Sequence, residues 1–522
     1  MKKLLFLICG FYIALFSVSA QERLADPRVQ FANTITAAEL KTHLSIIASD
    51  EYEGRGTATK GQEMAAEYIS NYYKSIGIPP LPGTDSYYQK FELMEIGLGD
   101  MQLNIGKEKY QFIRDFYAFP NSSNSADIQS TEIIFLGYGI DDSAYSDYKN
   151  RDVAGKVIVV LQGEPKQNEK SLITGSDELS EWSTEWDKKI ETATQHQVKC
   201  IFIIDEEIER VASSKYFVNY LTSSSLKLKK DYTPSPFCSY AFIAPDVADK
   251  LLDGKKLSKA KTEMQNTLTS VSYSTKNKLH FIVEKNVNVK EIENVLGYIE
   301  GGELKEELVI VSAHYDHLGI EDGVVYNGAD DDGSGTVGLL EMANAIMQAK
   351  NAGYPLKRSV LFLSFTGEEL GLYGSEYYTD NPVFPLANTV ADLNIDMIGR
   401  VDDAHIADSN YIYIIGSDFL SKELHEINAY NAKTYTNLNL DYTYNTTDDP
   451  NKYYYRSDHY NFAKNNIPII FFFNGTHADY HKPTDDIENI HFPLLEERVL
   501  LVYHDLWSIA NMERRIKVDV KE

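Results

Sequence analysis

The chain has 522 residues, too many for one simple hydrophobic core, so two domains are expected. Its composition, with 43% hydrophobic and 12% aromatic residues, excludes the disordered and collagen-like classes. The formal net charge of −27 disfavours binding to nucleic acid or to anionic membranes, and it suits a soluble surface or a site that holds cations.

The N-terminal segment MKKLLFLICGFYIALFSVSAQ has two lysines, an apolar run and small residues at its end. This pattern is typical of a signal peptide over residues 1–20, cleaved after Ala20, and it predicts a secreted or periplasmic protein. An uncleaved membrane anchor is the alternative, but the run is short for a span and lacks positive residues after it. No other segment of the sequence is apolar enough to span a membrane, so we expect no span after cleavage.

The three cysteines exclude a fold held by a disulfide framework. Cys9 lies in the predicted signal peptide and would leave with it. Cys200 and Cys238 remain, and the sequence leaves open whether they form one disulfide bond or are two buried thiols.

Helical periodicity comes first in the mature chain. The stretch ITAAELKTHLSIIASDEYEGRG ends in a loop that contains glycine, and KGQEMAAEYISNYYKSIG stops at Gly77 with prolines just beyond it. These patterns predict two helices that pack on a larger body.

The pattern changes to short strands near residue 128. STEIIFLGYGI and DVAGKVIVVLQGEP indicate strands separated by glycine-containing turns, and KCIFIIDEE continues the pattern with helices interspersed. No long flexible linker borders this region. We therefore predict that residues 126–284 form a separate β-rich domain, inserted into a larger domain made of residues 21–125 and 285–522.

The remainder of the chain alternates strands with helices. LVIVSA, SVLFLSF, VADLNID and PIIFFF are apolar runs of strand length, and GTVGLLEMANAIMQAKNAG, between the first two, predicts a helix. This alternation indicates an α/β fold with a mixed, largely parallel central sheet flanked by helices. The segment LLEERVLLVYHDLWSIANMERRI predicts an amphipathic closing helix.

Histidines and acidic residues follow these strands. Ligands and catalytic groups in open α/β sheets gather beyond the carboxyl ends of the strands, so we expect these side chains to share one edge. A single histidine at a strand end is usually a hydrogen-bonded core residue, but four such strand ends together favour a metal site. The residues concerned are His314, Tyr315, Asp316 and His317, then Glu368 and Glu369, then Asp396, then His477, Asp479, Tyr480 and His481.

Histidine and carboxylate ligands without cysteine suit zinc, manganese or cobalt, and they exclude thiolate and iron–sulfur sites. A single catalytic zinc takes three protein ligands, whereas this cluster offers at least five. Two metals about 3.5–4 Å apart need a shared carboxylate, which gives a purpose to the crowded aspartates of NGADDDGSG at 327–335. Contiguous aspartates do not fit an EF-hand loop. An acidic turn that caps the helix starting near Ser334 is compatible with metal binding.

The pair Glu368–Glu369 follows a fully apolar strand. Adjacent residues in extended or turn backbone point in different directions, so one glutamate can bind metal while the other faces the substrate. A carboxylate beside a metal-activated water is what a hydrolase needs as a general base. The alternative is that Glu368 and Glu369 are two solvated acidic residues on a loop. That would be the default interpretation if the preceding strand were less apolar.

The ordered motifs HYDH, GADDDGSG, GEE, NIDM and YHKPTDD together resemble the co-catalytic di-zinc aminopeptidase family, whose relatives include glutamate carboxypeptidase II and the transferrin receptor ectodomain. The segment EGRGTATKG is similar to the N-terminal segment of that family, so the resemblance covers most of the mature chain. The stretch from LGYGI to VVLQGEP is similar to a protease-associated domain inserted at the same place. The resemblance implies a zinc exopeptidase-like fold in which residues 126–284 are this inserted domain.

Metal ligands carry over by their positions in these motifs. The resemblance implies two Zn²⁺ ions, with Mn²⁺ or Co²⁺ as substitutes. His314 and Asp396 would hold one ion, Glu369 and His481 the other, and Asp331 would be shared between them.

The resemblance also implies roles beyond the metal ligands. Glu368 would be the general base, Tyr480 would stabilise the oxyanion, and the carboxylate of Asp316 would orient the His314 imidazole. A cis peptide bond would follow Asp331. The flanking Asp330 and Asp332 would hydrogen-bond the backbone or cap the next helix, and His317, His477 and Asp458 would be supporting or structural residues.

The predicted reaction is hydrolysis of the N-terminal residue of a peptide substrate. No ligand position departs from the pattern, which argues against a non-catalytic binding protein on the same fold. A carboxypeptidase of the glutamate carboxypeptidase type is the other alternative. It needs cationic residues for the substrate carboxylate, and Arg400 and Arg456 lie near the motifs. A glutaminyl cyclase fits less well because it uses one zinc and has no inserted domain.

Overall fold

A computed structural model describes residues 26–520, and the predicted signal peptide lies outside them. Contacts divide the chain into unit 1, which contains the described residues of 26–92 and 291–520, and unit 2, Leu93–Lys290. The predicted insertion 126–284 lies inside unit 2, which begins earlier, at Leu93. Its identity as a protease-associated domain stays a prediction. Within residues 26–520, no helix combines the length and the apolar composition that crossing a bilayer requires.

The helices of the described residues are numbered here in chain order. They are α1 Pro27–Ala32, α2 Ala37–Ile47, α3 Lys60–Ser75, α4 Glu181–Thr184, α5 Lys188–Gln195, α6 Ile208–Ser213, α7 Lys215–Thr222, α8 Pro245–Leu252, α9 Gly254–Thr267, α10 Gly335–Asn351, α11 Tyr373–Asp380, α12 Lys422–Tyr435, α13 His459–Ala463 and α14 Phe492–Asn511.

The strands are numbered in the same way. They are β1 Tyr88–Ile105, β2 Glu108–Tyr110, β3 Phe116–Tyr117, β4 Ala126–Leu136, β5 Val157–Leu161, β6 Lys166–Gln167, β7 Lys170–Ser171, β8 Cys200–Ile204, β9 Ser225–Leu228, β10 Ser239–Ile243, β11 Ser272–Ile299, β12 Leu304–His314, β13 Gly319–Glu321, β14 Val324–Tyr326, β15 Arg358–Phe365, β16 Thr389–Ile395, β17 Tyr411–Ile415, β18 Asn439–Asp441 and β19 Ile469–Phe473.

The helices predicted at the start, in the middle and at the end of the sequence are confirmed as α2, α3, α10 and α14. Helix α2 begins after Thr36, whose side-chain oxygen accepts a hydrogen bond from the Glu39 backbone N–H at 3.2 Å. This N-cap satisfies one of the amide groups that the first turn of a helix leaves without a partner. Helix α14 has a proline in its first turn, where a missing N–H costs nothing.

The sheet of unit 1 has the strand order β18–β17–β19–β16–β12–β15–β11. Strands β19, β16, β12 and β15 are parallel, while β17 and β11 pair antiparallel at the two sides of this group. The predicted mixed, largely parallel sheet is therefore confirmed. Its carboxyl ends meet at one edge because the four central strands run in the same direction.

Alternate residues of the central strands enter two different hydrophobic clusters. Val309 and Val311 pack in the cluster that contains α2, α3, α10 and α14, whereas Leu308 and Ile310 pack in the cluster that contains residues of α11 and α13. Side chains alternate between the two faces of a strand, so the two clusters are the two covered faces of the sheet. A parallel sheet covered on both faces explains why these strands are almost continuously apolar in sequence.

Unit 2 has its own parallel strands. Strands β4, β5, β8 and β10 are parallel neighbours, β3 pairs antiparallel with β10, and the first part of β11 pairs antiparallel with β4. The core of unit 2 contains these strands and the helices α5, α8 and α9. Cys200 is buried in this core, Cys238 is half-buried, and both are free thiols.

Candidate active site

Four parallel strands deliver the predicted site residues to one edge of the unit 1 sheet. His314 is the last residue of β12, and Asp396 follows β16 directly. Glu368 follows β15 after a turn at Gly367, whose φ of +72° lies in the left-handed region that favours glycine. His481 lies in the loop after β19. Of these side chains, only His481 is exposed, to 37%.

Asp331 lies at the centre of the cluster. Its Oδ1 is 3.3 Å from His314 Nε2, and its Oδ2 is 3.1 Å from His481 Nε2. The two oxygens of one carboxylate therefore face two histidines that come from different strands. This is the arrangement expected of a carboxylate shared between two metal ions.

The first group of possible ligand atoms consists of His314, Asp331 and Asp396. His314 Nε2 is 3.7 Å from Asp396 Oδ1, and His314 Nδ1 is 3.0 Å from the backbone carbonyl of Asp316. A ring N–H at Nδ1 would donate to this carbonyl and leave the Nε2 lone pair facing the two carboxylates. That tautomer is the one a metal ion requires at this position.

The second group contains Glu369, which faces two histidines. Glu369 Oε2 is 3.2 Å from His481 Nε2, and Glu369 Oε1 is 2.7 Å from Nδ1 of His317. His317, Asp331 and Glu369 also form a set of three that could hold an ion. The interpretation of His317 as a supporting residue did not anticipate that its ring would lie within the cluster. In the sequence, the position of His317 as the second histidine of the HYDH motif was the one feature that could have indicated this.

The donor atoms of the cluster fit a metal. His314 Nε2, His317 Nδ1, Asp331 Oδ2 and Glu369 Oε1 are all buried. Within residues 26–520 they lie close to other atoms of the cluster, but none of them makes a hydrogen bond of good geometry. Buried polar atoms without partners are rare in folded proteins. Four carboxylates also crowd the same edge, because Glu368 and Asp396 join Asp331 and Glu369 along one cleft. Bound dications would offset this repulsion and provide the missing partners.

Glu368 is distinct from its neighbour Glu369. Its Oε2 is 3.9 Å from His314 Nε2, and it lines the cleft together with Tyr480. Burial raises the pKa of Glu368 well above its usual range, His314 opposes this shift, and Asp396 and Glu369 add to it. Tyr480 stacks on His481 with ring centroids 3.9 Å apart, and burial followed by the nearby carboxylates raises the pKa of its phenol. Its hydroxyl thus remains a proton donor.

The three contiguous aspartates are not equivalent. Asp330 Oδ1 accepts a hydrogen bond from the Gly399 backbone N–H at 2.6 Å. Asp332 Oδ1 accepts from the backbone N–H of Gly335, the first residue of α10, at 2.9 Å, and from that of Met397 at 3.0 Å. The expectation that Asp330 and Asp332 turn away to the backbone is confirmed. The peptide bond between Asp331 and Asp332 is cis, as the resemblance implies.

Two residues that the sequence did not single out hold the aspartate turn. The carboxylate of Asp485 accepts the backbone N–H groups of Asp330 and Asp331 at 3.1 Å. Arg55 is fully buried and donates to the backbone carbonyls of Tyr315, Asn327 and Gly328 at 2.6–2.8 Å, and to that of Ile47 at 2.8 Å. It therefore ties the strand end that carries His314 to the loop that carries Asp331.

The carboxylate of Asp316 has different partners from those expected. Its Oδ2 accepts the hydroxyl of Thr57 at 2.6 Å, and its Oδ1 accepts the Glu368 backbone N–H at 3.3 Å. Its distance to His314 Nδ1 is 3.8 Å, so the backbone carbonyl of Asp316 contacts the imidazole more closely than its carboxylate does. Asp316 thereby joins β12 to the turn that carries Glu368.

The remaining candidates have different environments. His477 Nε2 lies 3.2 Å from Asp330 Oδ2, which agrees with a supporting role. Asp458 is fully buried, and burial raises the pKa of its carboxyl to about 7. Arg400 pairs with Asp479 at 2.7 Å and lies 3.8 Å from Asp485, so its guanidinium is engaged by structural carboxylates. Arg456 lines the cleft.

Comparisons with known proteins agree with this geometry. Residues 294–504 match Peptidase family M28. This segment contains all five predicted metal ligands and the three predicted catalytic residues, Asp316, Glu368 and Tyr480. The match covers less than half of the chain, and it confirms the resemblance of this segment to the co-catalytic zinc aminopeptidases.

Curated relatives carry aminopeptidase names and glutamate carboxypeptidase names. Aminopeptidase YwaD of Bacillus subtilis is 27% identical over 238 residues, which cover 44% of this chain and 47% of that protein. Aminopeptidase Y of Saccharomyces cerevisiae is 27% identical over 272 residues, which cover 49% of this chain and 44% of that protein. This chain thus spans less than half the length of these relatives. Among solved structures, an aminopeptidase from Aneurinibacillus sp. strain AM-1 aligns over 95% of this chain and 98% of its own, with 18% identity and a TM-score of 0.48.

Proposed function

We propose, on the premise that residues 294–504 belong to Peptidase family M28, that this chain is a zinc-dependent aminopeptidase that hydrolyses the N-terminal residue of peptides. The observation that carries the proposal is the position of Asp331. Its two carboxylate oxygens lie 3.3 and 3.1 Å from His314 and His481, with Glu368 in the same cleft.

Two groups of residues would hold two zinc ions. His314 and Asp396 would form one group, Glu369 and His481 the other, and Asp331 would belong to both. Mn²⁺ or Co²⁺ could replace zinc at such histidine and carboxylate ligands. Bound at this edge, the ions would polarise the scissile carbonyl and lower the pKa of water to near neutrality.

Residues of the chain itself would move the protons. Glu368 would take a proton from the attacking water and return it to the leaving amine, because its carboxylate lies in the cleft and is not held by a hydrogen bond from a histidine. Tyr480 would donate its hydroxyl hydrogen bond to the developing oxyanion, since its pKa is raised and it remains protonated. Asp316 would hold the backbone of Glu368 in place.

A carboxypeptidase is the second candidate, and one observation favours it: Arg456 brings a guanidinium to the cleft that could bind a substrate carboxylate. The deciding experiment compares zinc-loaded protein on a free peptide, on its N-acetylated form and on its C-terminal amide. An aminopeptidase releases the first residue from the free peptide and from the amide, but not from the acetylated form. Equal cleavage of the acetylated and free peptides would contradict the proposal.

Export of the protein is also proposed, because residues 1–20 have the charge and apolar pattern of a signal peptide. The measurement is N-terminal sequencing of the protein recovered outside the cytoplasm of an expressing cell. A start at Gln21 is expected, and retention of residues 1–20 would contradict cleavage after Ala20.

A further inference from the structure

Arg456 is a cationic side chain in the cleft for which the proposed mechanism has no use. It lines the cleft together with Glu368, Tyr480 and the apolar side chains of Phe471 and Phe473. The carboxylates of the cleft are accounted for as metal ligands or as a base. Arg456 therefore places a positive charge in the cleft that these carboxylates do not neutralise.

Two phenols hold the guanidinium in position. Arg456 Nη2 donates a hydrogen bond to the Tyr480 hydroxyl at 3.3 Å, and the guanidinium carbon lies 5.2 Å from the ring centroid of the buried Tyr453. A planar guanidinium over an aromatic face is a favourable cation–π contact, and it limits the directions in which the group can point. Arg456 is exposed, and these two contacts orient its guanidinium beside Tyr480.

The charge of Arg456 is not neutralised by the protein. Among residues 26–520, no carboxylate lies within ion-pair distance of its guanidinium, whereas Arg400 has Asp479 at 2.7 Å. The two arginines that the sequence could not distinguish therefore differ in role. Arg400 belongs to the structural network, and Arg456 retains free N–H donors at the cleft. A guanidinium has five donors, of which one contacts Tyr480.

We propose that Arg456 binds a carboxylate of the substrate and is a specificity-determining residue of this site. The inference rests on the proposed peptidase function and deepens it, because it selects substrates that carry a negative charge close to the scissile bond. The planar fork of a guanidinium matches the two oxygens of a carboxylate, and such charge-assisted pairs are stronger than neutral hydrogen bonds. The carboxylate could be the C-terminal group of a dipeptide or the side chain of an acidic first residue.

The experiment uses zinc-loaded full-length protein and two matched pairs of substrates. Leucyl-alanine and its C-terminal amide differ only in the terminal carboxylate. Glutamyl-alanine amide and glutaminyl-alanine amide differ only in the side-chain carboxylate. The variants are Arg456→Gln, Arg456→Lys, which keeps the charge but loses the fork, and the control Lys464→Gln, which removes a positive charge from a nearby exposed residue that does not line the cleft.

We expect wild-type protein to prefer the charged member of one pair in kcat/KM, and that pair identifies the source of the carboxylate. Arg456→Gln should reduce this preference by about ten- to a hundredfold, which is the range for a hydrogen bond to a charged group. Arg456→Lys should reduce it less, and Lys464→Gln should leave it unchanged.

Three results would overturn the inference, and they differ from one another. Absence of a preference in the wild-type protein would exclude carboxylate recognition. An equal loss of kcat/KM on all four substrates in Arg456→Gln would show that Arg456 acts only through the Tyr480 hydroxyl. Hydrolysis of none of the substrates by the wild-type protein would refute the proposed function itself, and the inference with it.

Discussion

Adjacent residues of identical chemistry take different environments at this site. Glu369 faces His317 and His481 at 2.7 and 3.2 Å, whereas the nearest histidine to the Glu368 carboxylate is His314 at 3.9 Å. A carboxylate that binds a metal ion cannot also act as the general base. The two roles are therefore assigned to two adjacent residues, Glu369 and Glu368. The backbone N–H of Glu368 donates to Asp316, which fixes the turn where the separation occurs.

The assignment of Glu368 as the general base predicts the behaviour of Glu368→Gln. The amide has the same shape but cannot accept the proton, so kcat should fall by about 10²–10⁴-fold. Metal content should not change, because Glu368 is not one of the proposed ligands. Turnover and metal analysis on the same preparation test both statements, with Glu369→Gln as the matched variant that should lose metal. Activity close to that of the wild-type protein in Glu368→Gln would refute the assignment.

The shared position of Asp331 predicts the loss of both ions from Asp331→Ala. Its two oxygens face His314 and His481, so each group of ligands would lose a carboxylate at once. The metal content should fall from two per chain towards zero, and activity should disappear. The exposed Asp85 provides a control, since Asp85→Ala removes the same charge outside the cleft. Retention of two ions by Asp331→Ala would exclude the shared role.

At the scale of an element, helix α14 carries a histidine that the site does not use. His504 is buried, and its ring stacks on Tyr435 with centroids 4.3 Å apart. Burial, with a smaller contribution from the nearby Arg28, lowers the pKa of His504 to about 3. The unfolded chain would bind a proton at this histidine below about pH 6.5, which the folded chain does not. The free energy of unfolding therefore contains a contribution that is complete above pH 6.5 and decreases as the pH falls towards 3.

Replacement of this histidine by phenylalanine should remove that contribution. His504→Phe keeps an aromatic ring against Tyr435 but takes up no proton in the unfolded chain. Relative to its value at pH 8, the difference in unfolding free energy between variant and wild type should move in favour of the variant by about 2 kcal/mol at pH 5. Denaturant unfolding of both proteins at several pH values measures this change. A difference that stays constant between pH 8 and pH 5 would contradict it.

The elements of unit 1 could be predicted because their signals are local. Parallel strands covered on both faces are continuously apolar, so β12, β15, β16 and β19 stand out in the sequence. Polar residues directly after such runs must lie at the carboxyl edge of the sheet. This rule predicted that the candidate site residues lie close together, and in the structure they do.

Other features had no local signal. The Arg55 side chain donates its hydrogen bonds to backbone carbonyls. Every residue has a backbone carbonyl, so the sequence does not indicate which residues would bind this arginine. Asp485 acts on backbone amides that are 154 and 155 positions away. The boundaries of unit 2 fall within the long strands β1 and β11 and not in a loop or linker that the sequence would reveal. The sequence alone therefore could not predict which side chains hydrogen-bond to distant backbone groups.

At the scale of the whole molecule, the chain has a net charge of −27, and four of its carboxylates line one cleft. Asp331, Glu368 and Asp396 lie together there, and burial is the largest influence that raises the pKa of Glu368. Folding must bring these carboxylates together against their repulsion. Ions that bind the folded chain and not the unfolded chain would therefore stabilise unit 1 as well as enable its chemistry.

This coupling predicts that removal of metal lowers the melting temperature. An ion present at a hundred times its dissociation constant stabilises the folded state by about 2.7 kcal/mol, so chelation should remove at least that contribution. Thermal unfolding of the metal-loaded protein, of the chelated protein and of the chelated protein with zinc restored provides the measurement. The chelated protein should melt at a lower temperature, and added zinc should restore the original value. Asp331→Ala is the control, because a chain that cannot share a carboxylate between two ions should respond little to chelator or zinc. A melting temperature that is the same in all three states of the wild-type protein would show that the clustered carboxylates are not a metal site.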